Sequence, residues 1–130
     1  MNATCALPAH RELTWEIIGA AIEVHRTLGS GMLESAYSAC LAHEFSHRRL
    51  PFVRERPIGL QYKDLTIDHA FRADFVVGDS VLVEIKAVEA LAPIHIAQVL
   101  TYLRLTKLHV GLIFNFHADH LRRGMKRVVL

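Results

Sequence analysis

A chain of 130 residues, with 52% hydrophobic and 22% charged residues, has the length and composition of one globular domain with a single core. Its formal net charge of +2 excludes a strong overall positive field that would by itself indicate nucleic-acid binding. Two cysteines exclude a disulfide framework and a four-thiolate cluster, and no apolar run approaches the roughly 18 residues of a membrane-spanning helix.

The first residues show no regular pattern, so we expect a flexible N-terminal arm over residues 1–13 and a single domain over residues 14–130. The arm has neither the basic nor the apolar segment of a secretory signal, which favours a cytoplasmic protein with reduced thiols. A first helix is predicted over residues 14–28, with Thr14 as its N-cap and Gly29 as its stop. Its predicted buried face carries Trp15, Ile18, Ala21, Ile22, His25 and Leu28.

A second helix is predicted over residues 33–49, where Tyr37, Leu41 and Phe45 form an apolar stripe. Glu34 lies on the same stripe at the start of this helix. A carboxylate at that position complements the helix dipole, but its inward direction gives a role in a charged site at least equal weight.

The same helix contains His43-Glu44-Phe45-Ser46-His47, which matches the HExxH pattern of zinc peptidases. Two histidines four residues apart, with a glutamate between them, can hold zinc and a water molecule. Here the helical angle points both histidines to solvent, and the sequence that follows is strand-like, without the further ligand that a zinc peptidase needs. A zinc peptidase is therefore the third and weakest hypothesis.

Strand-like sequence follows over residues 52–62, with a bend expected at Pro57, and a hairpin is predicted over residues 65–86. Gly78, Asp79 and Ser80 form the cluster that closes it. A loop of these three residues pairs Val77 with Val81 and places Asp74 opposite Glu84. Because side chains alternate along a strand, one core face would carry Ala73, Phe75, Val77, Val81, Val83 and Ile85. The other face would carry Arg72, Asp74, Val76, Leu82, Glu84 and Lys86.

Two opposed carboxylates on a sheet repel each other, so a positive group must lie between Asp74 and Glu84. Lys86, Arg72 and a bound cation are the candidates, and hard oxygen ligands suit Mg²⁺ or Mn²⁺. An ordinary salt-bridge cluster at the strand end is the alternative.

A third helix is predicted over residues 93–105, with Pro93 in its first turn. Gln98 and Tyr102 form a polar ridge on a face different from the core stripe of Ile96, Val99, Leu100 and Leu103. Residues 110–116 are predicted to form a buried central strand and residues 127–130 an edge strand. Basic groups also occur, and charge alone favours solvated surface over a phosphate-facing groove for Arg48-Arg49, Arg54, Arg56, Arg122-Arg123 and Lys126-Arg127.

The order of these elements resembles the PD-(D/E)xK nuclease superfamily and, within it, the GxxExxY protein family. The run Gly31-Met32-Leu33-Glu34-Ser35-Ala36-Tyr37 carries the second resemblance. It is joined by the segments FRADFVV, LVEIKAVEAL, AQVLTYL and GLIFNF. Ser30 and His117 depart from the residues that the family commonly has, and neither is a proposed catalytic residue.

The resemblance implies an α/β protein with a restriction-endonuclease-like core, in which helices flank a central mixed β-sheet in the order ααβββαβ. It implies metal ligation, by Mg²⁺ or Mn²⁺, at Asp74, Glu84, the Ile85 carbonyl and Glu34. Lys86 would orient or activate the attacking water, and Gln98 and Tyr102 would contact substrate phosphate or the water network.

The function that follows is a metal-dependent nuclease that hydrolyses phosphodiester bonds of nucleic acid, either DNA or RNA. The chain contains every residue that this chemistry needs, but it has no separate recognition domain. The alternative is therefore a catalytically inactive module of the same fold that binds nucleic acid or a protein partner. A homodimer would let a domain of this size engage two strands, and the sequence leaves this state open.

Overall fold

The computed structural model describes residues 3–130, with side chains from His10 onward. Two helices are followed by three strands, a helix and two more strands, which is the predicted α/β architecture. None of the helices in the described part of the chain has the length and apolar character needed to cross a bilayer. The elements are α1 (Ala3–Leu28), α2 (Glu34–His47), β1 (Phe52–Tyr62), β2 (Leu65–Val77), β3 (Val81–Lys86), α3 (Pro93–Thr106), β4 (Val110–Asn115) and β5 (Met125–Val129), with a 3₁₀ turn at Leu121–Arg123.

The five strands form one mixed sheet in chain order, β1-β2-β3-β4-β5. Only β3 and β4 are parallel, because α3 connects them as a crossover, and both are buried on their two faces. On one face, α1 and α2 cover a core cluster that includes Ile17, Tyr37, Leu41, Phe45, Phe75 and Phe114. On the other face, α3 covers a second cluster that includes Val76, Leu82, Val99, Leu103 and Ile113. The predicted mixed sheet flanked by helices is therefore confirmed.

The first helix differs from its prediction at its start and in its buried face. It begins at Ala3, and Thr14 is not an N-cap, since its hydroxyl donates to the carbonyl of His10 inside the helix. Trp15, predicted to be buried, is 74% exposed. It lies about 200° around the helix from Ile17, and the fully buried stripe consists of the smaller residues Ile17, Ala20 and Ala21. Residues 1 and 2 lie outside the described part, and the division at residue 14 stays a prediction.

His25 is a buried core residue, as a lone histidine on such a face usually is. Its Nε2 donates a hydrogen bond to the carbonyl oxygen of Ala118 at 2.8 Å, and its ring lies 6.0 Å from that of Phe116. This contact fastens the turn after β4 to α1. The remaining predicted elements are confirmed, with ends that differ by one or two residues.

The predicted bend in β1 lies at a different residue. Pro57 pairs in register with Arg72, and the register shifts between Ile58 and Leu60, at Gly59. A proline is tolerated in the ladder here because β1 is an edge strand, whose outward side needs no hydrogen-bond donor.

Alternation along β2 breaks at Asp74. Phe75 belongs to the core cluster under α1 and α2, whereas Ala73 belongs to the cluster under α3. The prediction that Ala73 shares a face with Phe75 is therefore wrong. On the neighbouring strand, Glu55 has a φ angle of 56°, so β1 is also irregular at this level. The paired strands thus change face where the candidate site begins.

Candidate active site

Asp74 and Glu84 lie side by side at the end of the β2–β3 ladder. The three-residue loop pairs Val77 with Val81, as predicted, and the backbone pairing ends at Phe75 and Val83. At the next position, side chains replace the backbone ladder. The backbone N–H of Asp74 donates to Glu84 Oε1 at 3.0 Å, and that of Ile85 donates to Asp74 Oδ2 at 2.7 Å. The two carboxyl groups therefore bridge the strands where these diverge.

Glu84 is the buried member of this pair, with 5% of its surface exposed. Burial raises its pKa to about 8, and the adjacent negative charge of Asp74 acts in the same direction. The hydrogen bond from the Asp74 backbone and the positive charge of Lys86 oppose this rise without cancelling it. Without a further cation the protonated form of Glu84 is favoured, whereas a bound cation would favour the ionised carboxylate, with the proton released to solvent.

Glu34 extends from α2 and lines the same cleft as Asp74. As the first residue of that helix, it accepts a hydrogen bond on Oε2 from the backbone N–H of Ala87 at 3.2 Å, directly after Lys86. The preceding loop sets this position: Gly31 adopts a φ angle of 104°, which favours glycine. The Tyr37 hydroxyl donates to the Gly29 carbonyl at 2.5 Å and accepts from the Met32 N–H at 3.2 Å.

Each marked residue of the GxxExxY run therefore has a local structural role. The glycine permits the turn, the tyrosine hydroxyl closes the loop before α2, and the glutamate extends from the helix start to the end of β3. Sequence analysis placed Glu34 on the inward stripe of α2, whereas the structure leaves its side chain exposed and places it in one cleft lining with Asp74.

A cleft of about 280 Å³ opens beside Glu34 and Asp74. It is lined by Glu34, Ser35, Ser38, Arg54, Glu55, Arg72, Asp74 and Ile85. A cavity of about 380 Å³ next to His25 and Leu121 contains none of the predicted site residues in its lining. The smaller cleft therefore combines exposed space with two of the predicted carboxylates, Glu34 and Asp74, whereas Glu84 and Lys86 do not line it.

The donor chemistry of the cleft fits a hard divalent cation. Mg²⁺ is commonly held by one or two carboxylates together with waters and substrate phosphate. Asp74 and Glu84 supply two neighbouring carboxyl groups, and Glu34 supplies a third that lines the cleft with Asp74 and bonds to the Ala87 N–H. Within residues 3–130, no three histidine, cysteine, aspartate or glutamate side chains converge closely enough to hold a metal ion by themselves.

Lys86 ends β3 next to the carboxylate pair and is half-buried. Its carbonyl accepts a hydrogen bond from the N–H of Phe116 at 2.9 Å, which joins Lys86 to the end of β4.

The buried Asn115 amide, at the end of β4, donates to the Val88 carbonyl at 2.9 Å and accepts from the Val88 N–H at 3.0 Å. Asn115 thus holds the segment that follows Lys86. Sequence analysis did not select it, although a polar residue that ends an apolar central strand was the available signal.

Tyr102 lies in the core, 5% exposed, and not on a polar ridge as predicted. Its ring centre is 5.4 Å from that of Phe71. Burial raises the pKa of its phenol, and the negative charges of Glu84 and Asp74 raise this pKa further.

Gln98 is half-buried four residues earlier on α3 and does not line the cleft. His95 accepts the Ala92 N–H on Nδ1 at 2.9 Å and so caps this helix.

The HExxH residues lie outside this arrangement. His43 and His47 are both exposed, as the helical angle predicted, and Glu44 pairs with Arg48 at 2.8 Å. No third metal-binding side chain joins them among the residues that the structure describes. The geometry therefore gives a zinc peptidase no support.

Comparison with protein-family models matches residues 11–128 to the PD-(D/E)XK nuclease superfamily. Comparisons with curated proteins and with solved structures yielded no significant match. The matched range covers almost the whole chain and includes every residue of the candidate site, and the two helices, three strands, helix and strands of the fold agree with such a core. The chain belongs to the PD-(D/E)XK nuclease superfamily.

Proposed function

We propose that this protein is a metal-dependent nuclease that hydrolyses phosphodiester bonds of DNA or RNA, and that it is a cytoplasmic member of the GxxExxY family. One observation carries the proposal. The carboxyl groups of Asp74 and Glu84 lie together where β2 and β3 diverge, and Glu34 reaches the same strand end from α2. The neighbouring Lys86 supplies the positive side chain that this chemistry uses.

In this proposal Asp74, Glu84, Glu34 and the Ile85 carbonyl would hold Mg²⁺ or Mn²⁺ together with waters and substrate phosphate. A bound divalent ion would neutralise the charge that develops on the phosphoryl group during hydrolysis. Lys86 orients the attacking water and adds a fixed positive charge beside the scissile phosphate. A bound cation would favour the ionised carboxylate of the buried Glu84 over its protonated form.

Tyr102 and Gln98 have supporting roles in the same proposal. The negative charges of Glu84 and Asp74 raise the pKa of the Tyr102 hydroxyl. In this proposal the hydroxyl donates a hydrogen bond to substrate phosphate or to the water network. Gln98 extends this polar contact from the preceding turn of α3. Because Tyr102 is packed against Phe71, its hydroxyl is held in one place.

Cleavage assays with single- and double-stranded DNA and RNA, in Mg²⁺ and in Mn²⁺, test this proposal. We expect Asp74→Asn and Lys86→Met each to reduce the cleavage rate by about 100-fold or more, the scale on which removal of a charge-stabilising group acts. Asp119→Asn is the matched control, because it removes an exposed carboxylate that pairs with Arg123 and leaves the cleft unchanged. Equal cleavage by the wild type and both site variants would refute the assignment.

The second candidate is an inactive module of this fold that binds nucleic acid or a protein partner. It is favoured by the hydrogen bonds that Asp74, Glu84 and Glu34 already make to backbone N–H groups, since these give the carboxylates a structural role without a metal. Titration calorimetry with Mg²⁺ and Mn²⁺ discriminates between the two candidates. Nucleic-acid binding without metal affinity, unchanged in Asp74→Asn, would favour the binding module.

A further inference from the structure

Two arginines line the same cleft as the carboxylates. Arg54 extends from β1 and Arg72 from β2, and Glu34 and Asp74 lie in the lining of the same space. Charge alone favoured solvated surface for Arg54, because the net charge of the chain is small. In the tertiary structure both exposed arginines line the cleft that Glu34 and Asp74 share.

Arg54 is oriented but keeps most of its hydrogen-bonding capacity. Its Nε donates to the Ser38 hydroxyl on α2 at 3.2 Å, which fixes the direction of the side chain. A guanidinium has five N–H donors, so the four on its terminal nitrogens are not used in this bond. Among the described residues, Arg54 takes part in none of the ion pairs. Its charge is therefore available to an anion in the cleft.

Within the described part of the chain, the side chain of Arg72 makes one weak ion pair. Its Nη1 lies 3.6 Å from Glu55 Oε1, and the two side chains are 68% and 55% exposed. Exposed pairs of this kind contribute little stability, so a phosphate can replace the carboxylate at small cost. Arg72 also lines a neighbouring cavity of about 570 Å³ with Pro57, His69 and Phe71. Arg72 therefore borders both the carboxylate cleft and this second cavity.

We propose that Arg54 and Arg72 form a phosphate clamp, which grips backbone phosphates next to the one held over the carboxylates. The guanidinium fork matches phosphate oxygens in a bidentate geometry. Both arginines line the cleft, and Arg72 also lines the adjacent cavity. This inference rests on the proposed nuclease function, because it takes a nucleic-acid strand as the occupant of the cleft. It adds where that strand runs and which residues hold it.

Binding of fluorescein-labelled duplex and single-stranded DNA, measured by anisotropy across a series of KCl concentrations, tests the clamp. The measurements are made in EDTA, and again in Mg²⁺ with the Lys86→Met substitution in every variant. We expect Arg54→Gln and Arg72→Gln each to weaken binding several-fold. The slope of log K against log salt is negative, and each lost phosphate contact should reduce its magnitude by about 0.9 for duplex DNA and about 0.7 for single strands. Arg54→Lys and Arg72→Lys should restore the slope.

Matched controls separate the clamp from a general effect of surface charge. The double variant Arg122→Gln/Arg123→Gln removes two exposed charges from the 3₁₀ turn, outside the cleft. Glu55→Gln frees Arg72 and should tighten binding about twofold. Glu23→Gln, which removes the carboxylate of another exposed Arg–Glu pair on α1, should leave binding unchanged.

The outcomes separate this inference from the function on which it rests. If the double variant Arg54→Gln/Arg72→Gln changes the salt slope no more than Arg122→Gln/Arg123→Gln does, the clamp is wrong, while cleavage by the wild type still supports a nuclease. If the wild type binds neither DNA nor RNA under any condition, both proposals fail. Should a glutamine variant fail to fold, as judged by circular dichroism, Glu55→Gln decides, and equal affinities of Glu55→Gln and Glu23→Gln contradict the role of Arg72.

Discussion

Replacing Glu84 by Gln removes the titrating group whose pKa the fold raises most clearly. The wild-type carboxyl is 5% exposed and has a pKa of about 8, against an ordinary value of 4.5. A glutamine has nearly the same shape and keeps an oxygen that can accept the Asp74 N–H now bonded at 3.0 Å. The substitution therefore changes the charge behaviour of the site with little change in packing.

The sign of the effect follows from the direction of the shift. Because the pKa of Glu84 is higher in the folded state, folding is favoured most below pH 4.5, where both states hold the proton. As the pH rises towards 8, the unfolded chain loses its proton first, and the free energy of unfolding falls. The full shift corresponds to a loss on the order of 4 kcal/mol between these limits. Glu84→Gln, which has no proton to lose, should not show this fall.

Urea unfolding in EDTA at pH 5, 6, 7 and 8 measures the difference. We expect Glu84→Gln to match the wild type near pH 5 and to exceed it by a few kcal/mol at pH 8. Asp119→Asn is the control: hydrogen bonding from the His120 N–H holds the pKa of Asp119 below 3.8, so its effect should be constant over this range. A difference between wild type and Glu84→Gln that does not change with pH would refute the reasoning.

Three further predictions concern the groups around this carboxyl. Mg²⁺ at about 100 times its Kd should stabilise the wild type at pH 8 by about 2.7 kcal/mol, and thermal unfolding should show no such gain for Asp74→Asn. Asn115→Ala should lower the free energy of unfolding by about 2 kcal/mol in urea, because both backbone groups of Val88 lose their hydrogen bonds to the buried Asn115 amide; no loss would contradict its structural role. Tyr37→Phe should cost about 1 kcal/mol and also slow cleavage, since the loop that positions Glu34 loosens; unchanged cleavage by a folded variant would separate this loop from the site.

The hairpin is the part of the fold that the sequence predicted best. A three-residue break between two β-rich arms defines the turn, and the alternation of side chains then defines which residues oppose each other. The pairing of Val77 with Val81 is confirmed, and Asp74 and Glu84 do come together. These features are local in sequence, so local chemistry was sufficient to find them.

The predictions that failed concern burial. Trp15 was assigned to the buried face by helical angle and is exposed, whereas Tyr102 was assigned by the same geometry to a polar ridge and is buried. Ala73 lies on the face opposite to the one predicted, because β2 changes face at Asp74. Helical angle and strand alternation give directions relative to one element. Which direction is inward depends on the neighbours that pack against it.

By itself, the sequence determined the order of the elements, the turn of the hairpin and the residue types that bring carboxylates and a lysine to one strand end. Only the tertiary structure decided how these residues are surrounded. It brings Glu34 to Ala87, 53 residues away, places Arg54 and Arg72 on the carboxylate cleft and buries Glu84 deeply enough to raise its pKa to about 8. Contacts between distant segments and the exclusion of water arise only when the helices and strands pack, so no local pattern contains them.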